Sequence, residues 1–331
     1  MPINDLGYRA WDGTRSLQAI RPWVVARSGI SLVWRRRWLR MMLILAWLPI
    51  VVPAAGLFVF EYSSTEPEFQ QFAVQVLSGP LNQPELANQI IGDPAGARHE
   101  VWSILILAFF RYPQLLSMVV LIGLVAPMLV SYDLRTKAYL IYFSRPLSPT
   151  QYVIGKSAVI WFLLSMIVTV PALILYGIGV LVSSDFSVVN ETWDIPLRIL
   201  AASAVLMIPT TALAMGYSSL TSESRYATFA WFATWAMGFV AYQVLTFSAV
   251  AVGNNRPRRG SRGPVDWESL GVDLDRWRLL SPYHTLGKVE AWVFDLDSTP
   301  ASVVPAFAVL ATITVVGFWL VRRRIIARLS V

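Results

Sequence analysis

The sequence contains no cysteine, only two histidines and few charged side chains for its length of 331 residues. Without cysteine, disulfide bonds and thiolate metal sites are excluded. His99 and His284 have no second metal ligand at a useful helical spacing, which argues against a zinc hydrolase. Charged residues make up 14% of the chain and hydrophobic residues 56%, and the mean hydropathy is positive. This composition is typical of a membrane protein.

Long stretches without any charged residue are the main feature that the sequence does have. Six windows contain no Asp, Glu, Lys or Arg, and each has about the 20 residues that a helix needs to cross a bilayer. They are Met41–Phe60, Tyr112–Tyr132, Ser157–Ser184, Ile199–Ser222, Tyr226–Asn255 and Ser298–Val321. Continuous apolar runs do not alternate as the strands of a membrane barrel do. The sequence therefore predicts an all-α, polytopic membrane protein with six transmembrane helices.

The basic residues are distributed unevenly around these windows. Many arginines precede the first window and several follow the last, whereas the loop from Glu61 to Arg111 is mainly acidic. Because basic residues near span ends are retained in the cytoplasm, we expect both termini to be cytoplasmic in the plasma (inner) membrane. The chain then divides into a cytoplasmic N-terminus (1–40), a six-helix membrane domain (41–321) and a basic cytoplasmic tail (322–331). The basic loop from Arg256 to Asp297, placed outside, fits this rule least well.

The net charge of +7 does not indicate nucleic-acid binding, since the basic residues cluster at span ends, where anionic lipid headgroups lie. Membrane lipids are therefore expected partners. The segment from Ser16 to Arg40 mixes tryptophan and aliphatic residues with arginine. This pattern favours an amphipathic elbow helix in the membrane interface before the first span. An ordinary arginine-rich flank that only sets the topology accounts for it equally well.

A short polar segment, Asp133 to Lys156, lies between the second and third windows. Asp133 suits a helix N-terminus, residues 134–143 have room for about two to three turns, and Pro146 ends the helix. A compact helix held between two span ends is suited to receive a push from a soluble partner and pass it to both spans. The alternative is a plain cytoplasmic hairpin.

The sequence of this segment resembles the coupling segment of type-2 ATP-binding-cassette exporter permeases. The resemblance is carried by Ser-Arg-Pro-Leu-Ser at 144–148, followed by Gln151-Tyr152 and Gly155-Lys156. It extends more weakly to 217–225, similar to the family's turn between its fourth and fifth spans, and to 281–284. It implies that contacts with an ATPase involve Asp133, Arg135, Lys137, Tyr139, Tyr142, Ser144, Arg145, Pro146, Gly155 and Lys156. Many members have Gly-Thr where this chain has Lys137-Ala138, so detailed contacts do not carry over there.

The resemblance further implies a function and partners. The chain would be the permease subunit of an exporter, coupling ATP hydrolysis by a separate ATPase subunit to substrate movement. A second permease subunit would complete a homodimer or heterodimer, with ATP and magnesium on the partner ATPase and no cofactor or metal on this chain.

We do not expect the chain itself to be an enzyme. Gly155-Lys156-Ser157 lacks the earlier glycine and the preceding strand of a phosphate-binding loop. The spans contain no acid–base pair and no nucleophile with a plausible base, so no catalytic residue is predicted. The alternative function is a non-transport membrane scaffold or assembly factor that recruits a cytoplasmic partner.

Overall fold

The computed structural model describes residues 20–63, 66–78, 84–138, 147–183, 187–254, 274–297 and 300–329. Within these ranges all regular structure is helical, which confirms the predicted all-α class. The α-helices are α1 (Arg21–Trp34), α2 (Arg37–Leu45), α3 (Val51–Tyr62), α4 (Pro67–Ser78), α5 (Pro84–Gly92), α6 (Pro94–Leu115), α7 (Ser117–Leu129), α8 (Ser131–Thr136), α9 (Pro149–Leu164), α10 (Val170–Val182), α11 (Val188–Glu191), α12 (Ile195–Leu220), α13 (Ser224–Asn254), α14 (Leu274–Arg278), α15 (Pro282–Val293) and α16 (Pro300–Leu329).

Five helical stretches of the described chain are long and apolar enough to cross a membrane. They are Arg37–Tyr62, Ser117–Thr136, Pro149–Val182, Ile195–Leu220 and Ala301–Ala327. Each overlaps one of the predicted windows, and together they are compatible with a multi-pass membrane protein. The remaining window, Tyr226–Asn255, falls almost entirely in α13, a helix of 31 residues. α13 is not among the five stretches found in the described residues.

The segment from Ser16 to Arg40, which we call the leader, contains α1 and the first residues of α2. α1 runs alongside α9 at very close range: a Cβ on Gly155 would lie 2.8 Å from the carbonyl oxygen of Pro22, and one on Gly29 would lie 2.6 Å from Val159. Trp23 and Val24 remain exposed on the other side of α1. The chain turns at Arg35 and Arg36 and continues as α2. Residues 16–19 of the predicted amphipathic segment lie outside the described residues.

The third stretch contains a local change of helix type. Residues 165–169 form a π-helical turn between α9 and α10. The turn ends two residues before Pro171, whose ring has no N–H to donate. The carbonyl of Met166 accepts a hydrogen bond from Trp47 Nε1 at 2.8 Å, which joins this turn to the first stretch.

α12 is the central helix of the bundle and contacts α7, α9, α10, α13, α15 and α16. Its closest neighbour is α16: a Cβ on Gly317 would lie 2.5 Å from the carbonyl oxygen of Ala212. Asp194 precedes α12 and Ser218 lies in its last turn, so these residues are about 36 Å apart at a rise of about 1.5 Å per residue. They mark the two ends of the bundle, which we call the Ser218 end and the Asp194 end.

α6 continues through Pro113 to Leu115. One local prediction was wrong. The predicted helix over 134–143 was to begin at Asp133, and its residues 139–143 lie outside the described residues. In the structure α8 begins at Ser131 and ends at Thr136, because Lys137 adopts a left-handed conformation with φ 56°. A left-handed residue closes a helix by turning its backbone out of the helical path.

Candidate coupling site

A buried ion pair joins the end of the second stretch to the start of the third. Asp133, in α8, and Lys156, in α9, meet with 2.7 Å between Oδ2 and Nζ. Both side chains are less than one-tenth exposed. Tyr152, one helical turn before Lys156, donates its hydroxyl to the same Oδ2 atom at 2.7 Å. A carboxylate held by an ammonium and a phenol has its charge well compensated, so this arrangement is suited to fixing α8 on α9.

A second set of hydrogen bonds joins Ser131, in α8, to α12. Ser131 donates its backbone N–H to Ser218 Oγ at 3.0 Å and its hydroxyl to the Ser218 carbonyl at 2.7 Å. Ser218 Oγ donates to the carbonyl of Ala126 at 3.0 Å. All three residues are buried. α8 is thus attached to three of the long apolar stretches, because it continues from α7 and contacts both α9 and α12.

α9 begins at a well-defined cap. Ser148 Oγ accepts the backbone N–H of Gln151 at 3.2 Å, and Gln151 Oε1 accepts the backbone N–H of Ser148 at 3.0 Å. This reciprocal capping box, followed by Pro149 in the first turn, satisfies N–H groups that would otherwise lack partners. The Ser-Pro-Thr-Gln part of the sequence therefore determines where the third stretch starts.

The predicted site residues separate into three groups. Asp133 and Lys156 form the buried pair, and Gly155 provides the close approach to α1. Arg135 and Lys137 are exposed at the end of α8. The remaining predicted residues lie outside the described residues, and they are Tyr139, Tyr142, Ser144, Arg145 and Pro146.

We call the Asp133–Lys156 ion pair, together with the hydrogen bonds around it, the junction. Three of its residues were not among the predicted site residues: Tyr152, Ser131 and Ser218. Tyr152 belongs to the motif that carries the family resemblance, so its position in that motif was an available signal. Ser218 belongs to the weaker motif at 217–225. Nothing in the sequence pairs it with Ser131, which lies 87 residues away.

A different polar cluster lies toward the Asp194 end. Glu290, on α15, is completely buried. Its Oε1 accepts from Gln114 Nε2 at 2.6 Å, and Arg111 Nη1 lies 3.5 Å from its Oε2. The Arg111 guanidinium also covers the ring of Tyr283, 3.5 Å from its centroid. Arg111 therefore joins α6 to one face of α15.

The two titratable groups of α15 are shifted in ways that follow from this packing. Burial raises the pKa of Glu290, and the charge of Arg111 and the hydrogen bond from Gln114 only partly oppose that effect. Among the described residues, none donates a hydrogen bond to Glu290 Oε2. Burial, together with the charges of Arg111 and Arg278, lowers the pKa of His284 to about 4. His284 is therefore neutral at neutral pH.

Ion pairs between several helices lie at the Asp194 end itself. Arg98 bridges Glu61 at 3.3 Å and Glu191 at 2.8 Å, linking α3, α6 and α11. Asp194 accepts from Arg198 at 2.6 Å and contacts His99 at 3.0 Å. Burial alone would raise the pKa of Asp194, but the hydrogen bonds and charges of His99 and Arg198 leave it below its usual value.

The described part of the chain contains no group of three or more His, Cys, Asp or Glu side chains that could hold a metal ion. Comparison with protein-family models gave no match. Comparison with curated proteins gave no match either.

Proposed function

We propose that this chain is the membrane-spanning permease subunit of an ATP-driven exporter, coupled to a separate ATPase. The observation that carries the proposal is the buried Asp133–Lys156–Tyr152 junction. Its three residues belong to the segment from Asp133 to Lys156, which resembles the coupling segment of type-2 permeases. A force applied to that segment would pass through the ion pair into the third stretch and through Ser131 and Ser218 into the fourth. A hairpin that only connected two spans would need neither the buried ion pair nor the serine hydrogen bonds.

In this proposal the chain has six spans, with α13 as the fifth, and both termini are cytoplasmic in the plasma (inner) membrane. α13 supports that count because it packs on α7 along its length: Trp231 Nε1 donates to the Val119 carbonyl at 2.7 Å, and Thr228 Oγ1 donates to the Gly123 carbonyl at 3.1 Å. The leader with α1 serves as the elbow, and its exposed tryptophan side chains suit the lipid interface.

The working unit would contain a second permease subunit and two ATPases, which bind ATP and magnesium. No catalytic role is assigned to this chain. The number of copies and the cargo follow from the resemblance alone and are part of the proposal. The second candidate, a scaffold that recruits a cytoplasmic partner, would use the same exposed Arg135 and Lys137 without coupling them to transport.

The test is to copurify the chain from its native membranes and assay the complex for ATP hydrolysis in nanodiscs. We expect an ATPase to copurify. The variant Arg145→Glu and the double variant Tyr139→Ala, Tyr142→Ala should remain inserted but bind the ATPase several-fold more weakly, since loss of an interface anchor costs about 1–3 kcal/mol. Arg27→Glu, at an exposed position of α1 outside the resembling segments, is the control. A complex whose ATPase binding and activity are unaffected by these variants would exclude the coupling role and favour a scaffold.

A further inference from the structure

A cavity of 420 Å³ lies beside the junction, between α1, the α7–α8 turn and the first turns of α9. Its polar lining includes Ser28, Ser31, Arg35 and Lys156, and its apolar lining includes Leu32 and Met128. Its volume is within the range of small-ligand pockets, about 300–1,000 Å³. The cavity is therefore large enough for a ligand with one charged and one apolar part.

The charge of the lining selects an anion. Arg35 and Lys156 carry two positive charges, and Asp133 carries the one negative charge of the lining. Lys156 and Asp133 are already paired at 2.7 Å. Arg35 has no carboxylate partner among the described residues. A guanidinium beside two hydroxyl groups matches the donors that bind phosphate oxygens.

The position of the cavity indicates where the anion comes from. It opens where the second membrane-crossing stretch ends at Thr136 and the third begins at Pro149. Span ends lie at the depth of lipid headgroups, whichever side of the membrane they face. Leu32 and Met128 form an apolar wall of the cavity.

We infer that this cavity binds the phosphate group of an anionic phospholipid, with Arg35 supplying the charge, Ser28 and Ser31 the hydroxyl donors, and the apolar wall the contact for an acyl chain. A lipid bound here touches α1, α7 and α9 together, so it stabilises the packing of the leader on the bundle by mass action. This inference does not depend on the proposed ATPase partner.

The experiment compares the full chain in nanodiscs of phosphatidylcholine with and without phosphatidylglycerol. Retained lipid is counted by native mass spectrometry, and unfolding is followed by tryptophan fluorescence. We expect the parent chain to retain phosphatidylglycerol and to unfold at a higher temperature in its presence. Arg35→Gln should bind this lipid about tenfold or more weakly, as expected for loss of a charge-assisted contact. Arg35→Lys, which keeps the charge, should recover part of the binding even if Arg35→Gln folds poorly.

Arg27→Gln is the matched control, because Arg27 is an exposed arginine of α1 that does not line the cavity. Equal loss of lipid in Arg27→Gln and Arg35→Gln would mean that surface charge alone attracts the lipid, and the site would be rejected. Inorganic phosphate is added to the phosphatidylcholine nanodiscs as a separate arm. If phosphate alone reproduces the full thermal shift and phosphatidylglycerol adds nothing, the site binds a free anion and the lipid assignment is wrong.

Discussion

Two buried carboxylates, Asp133 and Glu290, have very different surroundings. Asp133 receives an ammonium and a phenol on one oxygen, both at 2.7 Å. Within the described part of the chain, Glu290 receives one amide at 2.6 Å, and its nearest cation is 3.5 Å away from an oxygen that accepts no hydrogen bond. The first carboxylate is compensated by both contacts and holds two helices together. The second is weakly compensated, so the contact between α6 and α15 is the more easily altered by a change in charge.

The largest expected effect is the loss of stability when Asp133 loses its cation. Lys156→Met leaves Asp133 buried without its cation, which should destabilise the protein by about 3–5 kcal/mol. Adding Asp133→Asn to Lys156→Met should recover most of that loss, because the uncompensated charge is then gone. Unfolding in detergent, followed by tryptophan fluorescence, measures both. The control is Arg225→Gln, which breaks the exposed 4.0 Å pair with Glu223 and should cost at most about 1 kcal/mol. Equal losses in Lys156→Met and Arg225→Gln would show that the buried pair has no special role.

Glu290→Gln should change the pH dependence of stability more than stability itself. The raised pKa of Glu290 means that the folded protein holds this proton more tightly than the unfolded chain does. Its contribution is therefore complete below the ordinary value of 4.5 and is lost as the pH rises through the folded pKa. Glu290→Gln should remove this alkaline loss, measured as unfolding temperature against pH. Glu191→Gln, an exposed carboxylate, serves as the control, and an unchanged profile in Glu290→Gln would contradict the account.

The hydrogen bonds between Ser131 and Ser218 should contribute less to the stability of the protein. Ser218→Ala removes a hydroxyl that both donates and accepts in a buried site, so we expect a loss of about 1–3 kcal/mol. Ser131→Ala should cost a similar amount. The double variant should lose less than the sum, because the two side chains share hydrogen bonds. Strict additivity in this double-mutant cycle would mean that the two serines do not act together.

The smallest effect concerns His284. Its pKa of about 4 lies below the ordinary 6.5, so the unfolded chain takes up a proton that the folded protein does not. Stability should therefore fall as the pH drops from about 6.5 toward about 4. In His284→Gln, stability should fall less steeply as the pH drops. The variant also removes the contact with Tyr242, whose ring centroid lies 3.7 Å from that of His284. The slope against pH, compared with that of His99→Gln, is the relevant measurement. A slope that persists unchanged in His284→Gln would assign the loss of stability at low pH to other groups.

The sequence alone predicted the features that depend on local composition. Charge-free windows identified the apolar stretches, and a short segment between two of them contained both Asp133 and Lys156. The end of α8 at Lys137 could not be predicted, because lysine is not a residue type that favours the left-handed conformation. α13 was predicted as a span from its lack of charge, and it is not among the five stretches found in the described residues.

The Glu290 cluster could not be predicted for a different reason. Gln114 and Glu290 are 176 residues apart, and no periodic pattern relates them. Single polar residues within or beside apolar segments do not indicate their partners. Only the packing of α6 against α15 brings them together, and the same is true of Ser131 and Ser218.

The central claim is that the α8–α9 loop contacts an ATPase, and cross-linking tests it most directly. Because the chain has no cysteine, single cysteines can be introduced without background. Thr150→Cys places one at the exposed start of α9, and Gln89→Cys places one on an exposed position of α5. Both are labelled with a photoreactive maleimide in native membranes, and cross-linked proteins are identified by mass spectrometry. The account predicts an ATPase with a phosphate-binding loop on Thr150→Cys and none on Gln89→Cys. Absence of an ATPase from Thr150→Cys, or equal capture at both positions, would contradict it.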